Sequence, residues 1–225
     1  MRLTKRAYRW FYDHVQCRYY DLLIRWCFLP FGGEKQLRTR LLQPISLCRD
    51  DAILDIGCGT GSATFALAEK AGDEAEIVGL DLSIGQLRRA RARSRFANVD
   101  FVQSDATRTG FRDHCFDRVF ITHTLHEVQR RDRLAALLEA RRMLKPGGTL
   151  AVLELDDPKS LGVRLFVGLW FFYWLPLNFE TATRQDMLRC GLDNEVRQAG
   201  FDEVRKTSFC HGVFQVVQGR RKPAL

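Results

Sequence analysis

A chain of 225 residues that is 46% hydrophobic and 28% charged has apolar side chains enough for one sizeable core, which excludes a disordered protein. Its longest uncharged stretch, Leu165 to Phe179, falls short of the roughly 20 apolar residues of a membrane span, and Gly168 and Pro176 interrupt it. The net charge of +8 favours an anionic partner, while seven cysteines without a C-x-x-C pair or a disulfide-like ladder, and an N-terminus lacking a signal-peptide core, indicate a reduced, cytoplasmic setting with no metal site.

In chain order, residues 1–47 form a helical arm or cap ahead of a domain over residues 48–225. Residues 1–40 hold nine Lys/Arg against three acids, interleaved with aromatics such as Tyr8, Trp10, Tyr12, Tyr20 and Trp26. That mixture suits an anionic membrane surface or a nucleic acid, or simply a cap with one solvated and one packed face. A helix-like stretch, Lys35 to Leu47, leads into the apolar run Ala52 to Ile56. Gly57-Cys58-Gly59-Thr60-Gly61 closes this run, and Ser62 to Lys70 has helical spacing.

A second apolar run, Ile77 to Leu80, ends in Asp81. The basic helix Ile84 to Phe96 follows, then a strand from Val99 to Gln103 with Asp105 just beyond. Phe116 to Ile121 reads as a buried strand and Arg130 to Leu144 as an amphipathic helix stopped by Lys145-Pro146-Gly147-Gly148. Thr149 to Glu154 is the next strand. After Pro158 the alternation breaks at an aromatic insert over residues 158–188. A last helix, Leu188 to Ala199, precedes two strands, Val204 to Phe209 and Val213 to Gln218, which pair as a hairpin about a Cys-His-Gly turn. Alternating strands and helices predict an α/β doubly wound, mostly parallel sheet, with ligands at the carboxyl ends of its strands.

The glycines are spaced G-x-G-x-G, unlike the dinucleotide pattern, and no Gly-Lys-Ser/Thr follows to hold a phosphate. Glycine lets the backbone turn sharply and approach a ligand closely. Asp81 stands where an acid accepts both hydroxyls of a ribose, and Asp105 where one accepts from an adenine amine. Together these ends describe a pocket for an adenosine with a zwitterionic tail and no phosphates, which is S-adenosylmethionine.

Ile53 to Gly61, Val78-Gly79-Leu80-Asp81, Asp105-Ala106, Phe116-Asp117-Arg118-Val119 and Leu144 to Gly148 resemble the class I methyltransferase family. The resemblance implies a Rossmann-like, seven-stranded sheet with an antiparallel terminal hairpin. It also implies S-adenosylmethionine bound by Asp55, Gly57, Cys58, Gly59, Gly61, Asp81, Leu82, Asp105, Ala106 and Thr122. In that reading the glycines line the methionine end, Asp55 holds its ammonium, Asp81 the ribose, and Asp105 with Ala106 the adenine. Cys58 is a small packing residue, since methyl transfer from a sulfonium needs no covalent enzyme intermediate. The family's motif for methylating base nitrogens, Asn/Asp-Pro-Pro-Tyr/Phe, is replaced by Ile121 to Glu127, which disfavours nucleic acid as acceptor.

Tyr12-Asp13 and Tyr20-Asp21, Leu125-His126, Leu153-Glu154 with Pro158, and Ala199-Gly200-Phe201 resemble the ubiquinone and menaquinone C-methyltransferases and their relatives. This implies a lipophilic small-molecule acceptor: a quinol ring carbon first, a phospholipid amine second. The candidate bases are His126, His123 and Tyr20. The aromatic insert is expected as a lid over such an acceptor, peripheral to a membrane, or as a buried helix or homodimer contact.

Overall fold

In the computed structural model of the chain, residue 22, residues 25–174 and residues 181–223 are described. The expectations for the arm before Leu22, Tyr20 among them, and for residues 175–180 of the insert lie outside the described residues. The chain divides into two compact units, Met1–Gly110 and Phe111–Leu225.

The first unit runs α1 (Gly33–Leu42), β1 (Ala52–Ile56), α2 (Ser62–Ala71), β2 (Glu76–Asp81), α3 (Ile84–Arg93) and β3 (Val99–Gln103). Its strands pair in parallel, with Leu54 beside Val78 and Val78 beside Asp100. Every β1 residue after Ala52 is buried, the continuous burial expected of a parallel strand covered on both faces. Helix α2 buries its small face, Ala63, Thr64, Ala68 and Ala71, together with Leu67. Helix α3 starts at Ser83, whose hydroxyl accepts from the Gln86 N–H at 3.2 Å. The Asn98 side chain donates to the carbonyls of Gly72 and Ala75, fixing the turn into β2.

The second unit runs β4 (Phe116–Thr122), α4 (Arg130–Met143), β5 (Leu144–Leu155), α5 (Leu161–Trp174), α6 (Thr181–Cys190), α7 (Leu192–Gln198), β6 (Asp202–Phe209) and β7 (Phe214–Arg220). Strands β4 and β5 are parallel, with Ile121 beside Val152. Strands β5, β7 and β6 are antiparallel, with Val152 beside Val217 and Lys206 beside Val217. The terminal hairpin closes through Cys210–Gly212, as its turn residues predict. The seven strands make one mixed sheet in the order β3-β2-β1-β4-β5-β7-β6.

Helix α1 ends at Leu42, two residues before Pro44, and not at Leu47 as expected, and α3 ends at Arg93 and not at Phe96. Two further elements differ from expectation. The single helix predicted over Leu188 to Ala199 is two helices, because Gly191 takes φ +77° and breaks the backbone between α6 and α7. Strand β5 begins at Leu144, so Lys145 to Gly148 belong to the strand. The pairing absorbs them as an irregularity between Phe116 and Arg118.

Candidate functional site

In the first unit the glycine loop leaves β1 and enters α2. Gly57, Gly59 and Gly61 have φ of +73°, +55° and +85°, a region costly to any residue with a Cβ. The turn is held from β2: the N–H groups of Gly57 and Cys58 donate to the Leu80 carbonyl at 2.7 and 3.0 Å. Gly61 N then donates to Cys58 O at 2.9 Å, and a Cβ at Gly61 would lie 2.8 Å from the Phe65 ring.

Asp81, at the carboxyl end of β2, joins this loop to the next helix. Its Oδ2 accepts from Gly59 N at 2.9 Å and its Oδ1 from Ser83 N at 2.8 Å. A carboxylate has about four acceptor sites, so these two backbone contacts alone do not saturate it. Asp55 is fully buried, and its Oδ2 accepts from Thr64 Oγ1 at 2.6 Å, tying the end of β1 to the first turn of α2. Cys58 is buried too. Burial first, then the Asp81 and Asp55 carboxylates, pushes its thiol well above the usual range, so it stays neutral. A Cβ on Gly79 would lie 3.0 Å from the Cys58 sulfur and 2.7 Å from the Phe101 ring, so this glycine is what admits both side chains.

Beyond β3, Asp105 closes a tight turn around the half-buried Ala106. Its Oδ1 accepts from Thr107 N at 2.9 Å and Thr107 Oγ1 at 2.7 Å. The turn is linked to β2, since Ser104 N donates to Asp81 O at 3.1 Å and the Gln103 side chain to Leu82 O at 2.9 Å. The loop, Asp81, Leu82 and the Asp105 turn thus form one hydrogen-bonded series. Its carboxylates and close-approach glycines suit hydroxyls, an amine and a cationic sulfonium, and would repel phosphates. These donors and acceptors fit S-adenosylmethionine.

In the second unit β4 ends at Thr122, whose buried hydroxyl has no hydrogen-bond partner among the described residues. His123 follows in a left-handed conformation, φ +48°. Its N–H donates to Leu153 O at 2.8 Å, and its ring lies edge-on to Phe214 at 5.7 Å. His126 sits in the one-turn 3-10 helix Leu125–Glu127, with Nδ1 at 2.9 and 3.2 Å from the two oxygens of Glu154 on β5. Glu154 is fully buried and also accepts from the N–H groups of Leu125 at 2.7 Å and Leu155 at 3.0 Å. Burial alone would raise its pKa, but His126 outweighs that by charge and hydrogen bond, aided by His123, and holds it at about 2. The ionised carboxylate fixes Nδ1 as a donor, so a proton from outside enters at Nε2.

Glu154 itself did not figure among the sequence's candidate bases. Its neighbour is 28 residues away in the chain, and no local spacing connects them.

A family model of the methyltransferase domain matches residues 53–148. An uncharacterised methyltransferase of Synechocystis is 32% identical over 206 residues, 89% of this chain and 90% of its own length. Demethylmenaquinone methyltransferase of Staphylococcus aureus is 31% identical over 199 residues, 82% of each chain. Among solved structures, a SAM-dependent methyltransferase of Thermotoga maritima superposes with a TM-score of 0.66 at 23% identity, covering 94% of this chain and all of that one. The matched domain, the full-length relatives and the shared fold agree that the chain belongs to the S-adenosylmethionine-dependent methyltransferases.

Proposed function

We propose that the protein methylates a ring carbon of a lipophilic quinol, with His126 as the proton acceptor and Glu154 as the group that holds it. The observation that carries this reading is the pairing of His126 Nδ1 with a buried, ionised carboxylate at 2.9 Å. The demethylmenaquinone methyltransferases at 31–33% identity support a quinone acceptor.

Bound S-adenosylmethionine supplies an electrophilic methyl group on a sulfonium. In this reading Gly57, Cys58, Gly59 and Gly61 line its methionine end, and Asp55 holds the ammonium. Asp81 holds the ribose, and Leu82, Asp105 and Ala106 surround the rest. A quinol carbon becomes nucleophilic as its phenolic O–H gives up a proton; after methylation the ring hydrogen at that carbon leaves as a proton and the oxygen takes one back. Each turnover therefore releases one proton net. His126 takes it at Nε2, and the resulting imidazolium is stabilised by Glu154 through Nδ1–H.

Incubating the enzyme with methyl-labelled cofactor and extracted membrane lipids tests the acceptor class: label should travel with the neutral quinones. Label in the phospholipids would replace the quinol by an amine acceptor. For the cofactor half, Asp81→Ala should weaken S-adenosylmethionine binding by about 1–3 kcal/mol, roughly 5- to 150-fold, because hydroxyls, Gly59 N–H and Ser83 N–H all lose an acceptor. Unchanged calorimetric affinity in that variant would remove Asp81 from the site.

A further inference from the structure

Among the described residues, nine large apolar side chains are exposed, and seven of them fall in two groups. In the first unit Leu22, Trp26 and Leu29 follow one another at i, i+4 and i+7, with exposures of 62%, 45% and 62%. In the second, α5 presents Leu161, Leu165, Phe166 and Leu169 at i, i+4, i+5 and i+8, while Val167 is buried on the other side. Phe166 stacks on Trp170 at 6.2 Å. A water-soluble helix normally turns such a stripe to the core, so stripes left outside mark a contact surface.

The charge distribution selects the partner. The first stripe lies in the stretch 1–40 with its nine bases and three acids. Residues 82–99 add five arginines and no acid, and Arg88, Arg91, Arg93 and Arg95 are exposed. Lys159 and Arg164 flank the α5 stripe, Arg164 standing 3.7 Å from the exposed Asp157. A second copy at +8 would be repelled. A nucleic acid would gain nothing from leucines, which offer no face for base stacking. Leucines beside Trp and Phe, bordered by Arg and Lys, match what a helix in the headgroup plane of an anionic bilayer requires. No described helix is long and apolar enough to cross a membrane, so the contact is with the surface.

We infer that the Leu22–Leu29 and Leu161–Leu169 stripes are docking elements for an anionic lipid bilayer. This goes beyond the proposed activity and holds whichever acceptor is methylated.

The test is sedimentation of the full chain with vesicles of phosphatidylcholine alone or mixed with phosphatidylglycerol. Binding should require phosphatidylglycerol. It should weaken about tenfold, without vanishing, in about 1 M salt, where the Debye length is about 3 Å. Leu161→Ser/Leu165→Ser/Leu169→Ser and, separately, Leu22→Ser/Leu29→Ser should each bind at least about tenfold more weakly. Because the replaced side chains are exposed, melting temperature and S-adenosylmethionine affinity should not fall, which controls for folding. Failure to sediment at low salt overturns the inference, and so does undiminished binding by both variants. A wild-type dimer in light scattering that either variant converts to monomer, with no vesicle binding, would assign the stripes to a second copy. Retention on a nucleic-acid duplex equal to that on vesicles, and insensitive to both variants, would assign the basic residues to that partner.

Discussion

Replacing Arg133 by methionine is expected to lower the stability of the protein by about 3–5 kcal/mol, because it leaves a buried carboxylate without its cation. The Arg133 side chain is fully buried on α4. Its Nε and Nη2 donate to the two oxygens of Glu195 on α7 at 2.9 and 2.8 Å, and Nη2 also reaches Asp186 on α6 at 2.7 Å. Nη1 donates to the Val128 carbonyl at 3.0 Å, just past the turn that carries His126. One guanidinium therefore fastens three helices and that turn. Glu195 is only 1% exposed, and its other cation, Arg130, stands at 3.6 Å with a half-exposed side chain, too weak a replacement. Urea unfolding measures the loss. Adding Glu195→Leu to Arg133→Met should recover a large part of it, since the lone buried charge is then gone. A single-variant loss below about 1 kcal/mol would show that the network carries little.

The larger effect on turnover belongs to the other buried pair. His126→Ala should slow methyl transfer by about 10²- to 10⁴-fold, the usual contribution of a positioned proton acceptor, while leaving S-adenosylmethionine affinity unchanged. Glu154→Gln should slow it less, because the imidazole remains but loses the charge that stabilises its protonated form.

Glu154 also leaves a mark on stability. Its carboxyl is lowered from 4.5 to about 2. Its contribution is therefore whole above pH 4.5 and is lost as pH falls towards about 2. Acid unfolding should show a component in that interval that Glu154→Gln removes. A transfer rate within a factor of about two of wild type in His126→Ala would take His126 out of the chemistry.

The order of strands and helices was legible because local signals carry it. Ala52–Ile56 and Val99–Gln103 are apolar or alternating runs closed by turn residues, and they stand where the sequence puts them. The break at Gly191 was hidden because Leu188, Leu192 and Val196 keep a helical spacing through it, and spacing does not report a φ of +77°. The start of β5 was hidden for the opposite reason. Lys145-Pro146-Gly147-Gly148 carries strong stop signals, yet Lys145 bonds Asp117 at 2.7 Å and Gly147 N donates to Arg221 O, so tertiary contacts keep the segment in the sheet.

The glycine loop and its acids could be singled out because each lies at a strand end. Pairs such as His126 with Glu154 and Arg133 with Glu195 join residues 28 and 62 positions apart. Among Arg130, Arg131 and Arg133 nothing in the sequence marks the one that is buried. The aromatic insert was legible as apolar surface in excess of a core, but which side chains face out was not: Leu161, Leu165 and Leu169 do, whereas Trp170 is half-buried.

Transfer of a methyl group to a quinol carbon is read out by mass spectrometry of one reaction. The acceptor is a reduced, demethylated quinone carrying deuterium at its open ring position, and the donor is methyl-labelled S-adenosylmethionine. The product should have gained the labelled methyl and lost the ring deuterium, and should be formed by the wild type and scarcely by His126→Ala. A product that gains the methyl and keeps the deuterium would place it on oxygen, and no transfer to the quinol beside ready transfer to a phospholipid amine would contradict the quinol reading altogether.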